Sequence, residues 1–202
     1  MNTQSHVLLA VALFTRSGVG NRARNTAAIV GGFLPDLPIF IMFLWSKIQG
    51  VPEKIVWETW YFNPPWQTVI DASHSIPIYW LLIMVSVFLV KSGGRKYDYG
   101  IVLVIFSLSA LTHIAGDFFL HAVDGHAHFW PLSDWRYSSP VSYWDPRYYG
   151  EYFLILEIIV GLYLCVILYR RFRGKFVRGI LLLAMLSYIL VPAYFIFIVK
   201  HH

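Results

Sequence analysis

Long apolar runs separated by short polar clusters set the pattern of this chain. Five runs are long enough to cross a bilayer, which takes about 20 mostly apolar residues. They cover approximately residues 27–46, 73–90, 100–121, 151–169 and 176–199. A sixth run, 7–14, is too short to cross and predicts a half-depth helix with Ser5 and His6 at its outer tip. The longer loops, 47–72 and 122–150, are rich in Trp, Tyr and Pro. Such rings favour the headgroup zone, so segment 51–62 predicts a short helix lying on the membrane surface, with substrate gating as the sharper alternative to anchoring. The expected fold class is all-α: a polytopic integral membrane helical bundle of about five transmembrane helices plus the short N-terminal helix, in a single domain over 1–202.

Composition points the same way. Of 202 residues, 57% are hydrophobic and 13% charged, and the mean hydropathy is +0.58, too few charges for a soluble domain of this size. The net charge of +5 raises nucleic acid or anionic lipid as a partner, but its distribution is better explained by orientation. Alternate loops hold Arg16, Arg22 and Arg24, then Lys91, Arg95 and Lys96, then Arg170, Arg171, Arg173, Lys175 and Arg178, which is 11 of the 16 basic residues. The positive-inside bias makes these loops cytoplasmic, with loops 47–72 and 122–150 and the C-terminus on the far side of a bacterial inner membrane. The lipid bilayer is then the expected partner, and no nucleic-acid motif is present. The oligomeric state is not legible. Cys165 stands alone, which excludes a disulfide framework and a thiolate metal site. No basic region precedes run 7–14, so no cleavable signal peptide is expected. His201 and His202 are either native or a tag remnant and carry no argument.

The candidate chemistry lies in His113-x3-Asp117-x3-His121-x2-Asp124-Gly125-His126-Ala127-His128. At about 100° per residue, helical spacing puts His113, Asp117, His121 and Asp124 on one face. Charged side chains cost about 2.5–3.5 kcal/mol each at mid-membrane, so a row of imidazoles and carboxylates there points to a bound cation. Counting the helical rise from the basic loops puts His6, Asp36, His74, His113, Asp117 and Glu157 roughly 15–25 Å in, at the midplane or in the outer half. A transporter needs polar groups leading to both faces. This one-sided set predicts a cavity that opens outward.

Each residue also has a plainer reading. Asp36 in Leu34-Pro35-Asp36-Leu37-Pro38 has a lesser reading as a cap for amides freed by the prolines, and Asp71 an equal one as a helix N-cap before Ser73-His74-Ser75. His6 alone is an incidental terminal residue, and His126 and His128 are surface residues unless the Gly125 turn folds them back. Glu157 fits a partner that orients a ligand histidine as well as a ligand. The metal set expected is His6, Asp36, His74, His113, Asp117, His121, Asp124, His126 and His128.

Imidazole and carboxylate without thiolate suit Zn²⁺ first, and Mn²⁺ or Fe²⁺ as alternatives, with ligands enough for one or two ions. Mixed His/Asp sites with an open position activate water for hydrolysis. Asp36 and Asp71 are the candidate catalytic bases, and Arg136 (or Arg147) the candidate clamp for an anionic headgroup. The expected function is a metal-dependent hydrolase acting on a lipid, lipid-linked or other amphiphilic substrate. Two alternatives stand beside it. One is a non-catalytic metal-binding membrane protein, a sensor or assembly factor. The other is a metal-free phosphatidate-phosphatase-like enzyme, whose Ser-Arg and Pro-Ser-Gly-His elements are missing from this sequence.

His6, Leu34-Pro35-Asp36, Ser73-His74-Ser75, Thr112-His113-x3-Asp117 and Trp130-Pro131-Leu132-Ser133-Asp134-Trp135-Arg136 occur in the order found in the bacterial membrane-bound metal-dependent hydrolase family, which the chain resembles over about residues 3–140. The resemblance implies an inner-membrane helical protein with a divalent metal and hydrolase activity. It looks closest to a divergent subgroup loosely labelled as cobalamin biosynthesis proteins, although no Gly-Lys-Ser/Thr loop or amidotransferase cysteine is present. Pro38 stands where that family has a second acid, and Val69-Ile70 where it has a His-Arg pair.

Overall fold

A computed structural model describes residues 1–197; the expected end of the last span, with Lys200, His201 and His202, lies outside them. It is all-helical, with no strand among the described residues. The helices are α1 (Thr3–Phe14), α2 (Arg22–Phe33), α3 (Leu37–Ile48), the single turn α4 (Glu53–Ile55), α5 (Trp66–Ser73), α6 (Ile76–Ser92), α7 (Arg95–Phe118), α8 (Gly150–Arg171) and α9 (Lys175–Phe197).

Among the described residues, four helical units are long and apolar enough to cross a membrane: Arg22–Ile48, Arg95–Phe118, Gly150–Arg171 and Lys175–Ala193. The bent pair α5 and α6, which turns by 42° at its break, makes a fifth. The first unit is interrupted at Leu34–Asp36, where a 3₁₀ turn joins α2 to α3. Pro35 and Pro38 each remove an amide donor and crowd the preceding turn, which is why the α-helix gives way here.

Breaks inside an apolar unit free main-chain groups that hydrocarbon cannot satisfy, so protein must. The two breaks do this for each other. Ser73 Oγ donates to the Pro35 carbonyl at 2.8 Å, and the Tyr79 hydroxyl donates to the Ser73 carbonyl at 2.9 Å. The Ile76 amide donates to the His128 carbonyl at 2.8 Å. Ser75, not Asp71, caps α6, accepting the Ile78 amide at 3.2 Å; Asp71 lies within α5.

Helix α7 lies against α6, α2 and α1, while α1 also packs on α8, and α8 on α9. Twelve residues give α1 only about 18 Å of length. It is largely enclosed by its neighbours, with Ser5 and His6 buried in its first turn, at the end away from the basic loop. Small residues permit these close approaches. A side chain at Gly32 would press on Ala10, and one at Gly161 on the Tyr188 ring. The outward faces of α8 and α9 expose Ile159, Tyr163, Leu183 and Leu190, a surface suited to lipid.

Segment 51–62 is helical but irregular, α4 running into a π-turn at Val56–Trp60. Val56 is buried against Met42 and Ile70, which holds this segment beside the bundle.

Candidate metal centre

The site forms where the two broken helices meet the C-terminal end of α7. The break at Leu34–Asp36 delivers Asp36, and the break between α5 and α6 delivers His74. The i,i+4 spacing on α7 delivers His113 and Asp117. One ligand atom from each of these four residues lies within 4.8 Å of all the others. Asp117 Oδ2 is 2.9 Å from His113 Nε2 and 3.5 Å from His74 Nε2, and Asp36 Oδ1 is 3.5 and 3.8 Å from the same two nitrogens.

Main-chain carbonyls orient both rings. His113 Nδ1 donates to Gly32 at 2.8 Å, and His74 Nδ1 to Ile70 at 2.9 Å. Each Nε2 therefore faces the cluster, and both are buried with no hydrogen-bond partner. Imidazole lone pairs facing carboxylates repel unless positive charge lies between them. Ligands held about 2.0–2.2 Å from a divalent ion sit about 3–4 Å apart, a separation this cluster reaches with small closure. A carbonyl on the remote ring nitrogen is also how metal-binding histidines are held. The residues fit a divalent cation.

A second group, Asp117, His121 and His126, meets the same 4.8 Å criterion. Here the sequence expectation needs correction. Helix α7 ends at Phe118, so His121 and Asp124 do not continue its polar face. The loop turns back instead, bringing His121 Nε2 to 3.3 Å from Asp117 Oδ1. Asp124 Oδ2 lies 3.1 Å from His121 Nδ1 and accepts the Trp144 indole N–H at 2.9 Å. Burial opposes the Asp124 charge, but the His121 ring and Trp144 outweigh it and hold that carboxyl below its usual range. Burial likewise works against a charged His121, but Asp117 and Asp124 prevail and raise it to about 9. Burial, with His74 and His121 alongside, pushes His126 well down. Burial and His74 push His128 down to about 4. His126 and His128 are thus neutral, the form of imidazole that ligates a cation, whereas His121 is held charged by its two carboxylates unless a cation takes the place of its proton.

The remaining candidates border these groups. His6 Nε2 donates to Asp117 Oδ1 at 2.9 Å, and its ring stacks on His113 at 3.6 Å. His128 Nδ1 donates to the His74 carbonyl at 3.3 Å. Asp71 and Arg136, expected as base and anion clamp, are paired with each other at 2.5 Å. Among the described residues Glu157 hydrogen-bonds to no histidine: it accepts the Asn2 amide at 2.7 Å and the Asn2 side chain at 3.0 Å, fixing the start of α1.

Sequence reading missed Thr3, whose hydroxyl donates to Asp36 Oδ2 at 2.5 Å, and Trp144 and Gly32. Only Gly32 carried a signal, as half of a small-residue pair beside proline in an apolar run.

Asp36, Asp117, His121 and His126 form one end of a cavity of about 790 Å³. Its walls include Phe40, Trp57, Tyr61, Phe62, Tyr143 and Trp144. Segment 51–62, expected on the membrane surface, thus supplies one wall.

Fold and site together define a polytopic helical membrane protein with largely buried His/Asp groups that could hold a metal ion. Residues 1–198 match the model of the YdjM inner membrane protein family, and the chain belongs to that family. No curated protein and no solved structure matches it.

Proposed function

We propose that this membrane protein is a divalent-metal-dependent hydrolase acting on an amphiphilic ester, with its site opening away from the cytoplasm. The observation that carries the reading is the pair of unpartnered, buried Nε2 atoms of His74 and His113 facing Asp36 and Asp117 beside an aromatic-walled cavity. His74, His113 and Asp117 would hold the ion, with a fourth position open towards Asp36 and Zn²⁺ the first choice for this donor set. When bound, such an ion lowers the pKa of water and polarises a carbonyl or phosphoryl oxygen.

The chain's own groups do the rest. The Gly32 and Ile70 carbonyls fix the rings, and His6 and its stacked partner His113 keep Asp117 in place. Asp36 Oδ1 faces the cluster while Oδ2 is held by Thr3, so Asp36 is the group to accept the proton of the attacking water. The aromatic walls take the apolar part of the substrate and keep bulk water away. Asp71 is not assigned as a base, nor Arg136 as a clamp, because each already neutralises the other.

The test uses detergent-purified full chain loaded with Zn²⁺. 4-Nitrophenyl palmitate and hexadecyl 4-nitrophenyl phosphate present a carboxyl and a phosphoryl ester on the same apolar tail. Release of nitrophenolate from either, abolished by EDTA and by His74→Ala/His113→Ala, is the expected result. Zinc content equal in wild type and that variant, or zinc-loaded protein inert towards both esters, overturns the reading.

A further inference from the structure

We infer that the chain holds a second divalent ion at Asp117, His121 and His126, bridged to the first through the Asp117 carboxylate. This rests on the reading of the first site given above.

The two oxygens of Asp117 face opposite ways. Oδ2 is directed at His113 and His74, and Oδ1 lies 3.3 Å from His121 Nε2 while also accepting His6 Nε2 and the Met1 ammonium. A carboxylate that offers one oxygen to each of two ligand groups holds two ions about 3.5–4 Å apart. The second group also has an independent mark of a ligand. The His126 ring is buried, with 2% of its surface exposed, makes no side-chain hydrogen bond among the described residues and borders the cavity. It stacks on the ring of His74 at 3.9 Å, so the two groups are adjacent. Asp124 Oδ2, itself held by Trp144, lies 3.1 Å from His121 Nδ1, so a carboxylate stands beside the remote nitrogen where the first-site histidines have carbonyls.

The charge of the cavity gives the second ion its chemical role. Asp36, Glu58, Asp117 and Asp124 line it, and no Lys or Arg side chain does. The Met1 ammonium, 3.3 Å from Asp117 Oδ1, and the His121 ring offset these carboxylates only in part, so an anionic headgroup would meet net repulsion there without added positive charge from metal. Two ions spaced to take two oxygens of one phosphoryl group supply it, which makes a phosphate-ester amphiphile the substrate class this site fits.

The test is Mn²⁺ binding to detergent-purified full chain, read by elemental analysis and by electron paramagnetic resonance. The wild type is expected to hold two Mn²⁺ per chain with an exchange-coupled spectrum. His121→Ala/His126→Ala should hold one, with the uncoupled spectrum of a single ion. One Mn²⁺ per wild-type chain, unchanged in that variant, overturns the second site and leaves the first. Two ions without exchange coupling overturn the Asp117 bridge, and no bound Mn²⁺ overturns both sites. The wild-type spectrum decides the matter even if the variant fails to fold. Hexadecyl 4-nitrophenyl phosphate should be hydrolysed at least ten times faster than 4-nitrophenyl palmitate; the reverse preference overturns the substrate class alone.

Discussion

Arg136 grips Asp71 with both terminal nitrogens, Nη1 to Oδ1 at 2.9 Å and Nη2 to Oδ2 at 2.5 Å. The same Nη1 donates to the Gly125 carbonyl at 2.9 Å, and the Ala127 amide donates to Asp71 Oδ1 at 2.9 Å. The pair therefore clamps the turn on either side of His126 to α5. It is a fastening for the metal centre.

Arg136→Ala leaves a buried carboxylate with a single amide donor. Loss of a partner by a buried charged group costs about 1–3 kcal/mol. The thermal unfolding midpoint in detergent should fall, and Asp71→Asn/Arg136→Ala should recover part of the loss because no bare charge remains. An Arg136→Ala midpoint equal to wild type would show that the pair fastens nothing.

Gly31 faces α7 so closely that an added methyl group would press on the Phe106 carbonyl oxygen and sit 2.9 Å from Ser109 Cβ. Gly31→Ala should force α2 away from α7, cost about 1–3 kcal/mol as overpacking does, and weaken metal binding by moving the neighbouring Gly32 carbonyl off His113. Gly179→Ala, where nothing lies within 4 Å, is the control. Equal melting of the two variants would contradict the packing described.

Asp145 organises the start of α8, its carboxylate accepting the Arg147 main-chain amide and Nε at 3.0 Å each. The Arg147 side chain holds this carboxyl below the ordinary range. A depressed folded pKa gives stabilisation that is present above the unfolded value of about 3.9 and lost as pH falls through the folded value. Amide hydrogen exchange across 142–150 should therefore accelerate on acidification below about pH 4. Asp145→Asn should remove that pH dependence, and an unchanged acid response in the variant would place its origin elsewhere.

The basic loops gather at one end of the molecule. Arg171 Nη1 donates to the Ala12 carbonyl at 2.7 Å and the Thr15 carbonyl at 3.1 Å, and Arg24 lies 3.7 Å from Asp98. The positive-inside bias then makes a reporter inserted at Gly93–Gly94 cytoplasmic and one inserted at Ser133 extracytoplasmic. Inverted signals would turn the site towards the cytoplasm.

The apolar runs were enough to determine the membrane-spanning units, because crossing hydrocarbon imposes a length and a composition that need no tertiary context. They also placed His113 and Asp117 on one helix face, since i,i+4 spacing is local geometry, and located the break at Asp36 through its prolines. Packing alone decided the rest. Phe118 ends α7, so His121 reaches Asp117 by a returning loop that helical periodicity cannot anticipate. Arg136 meets Asp71 across 65 positions, and Asn2 meets Glu157 across 155, removing an anticipated clamp, base and orienting acid from the site. Charge and residue type state what a side chain can bind. Which neighbour satisfies it first is fixed by how the helices pack, and that is not written in any one segment.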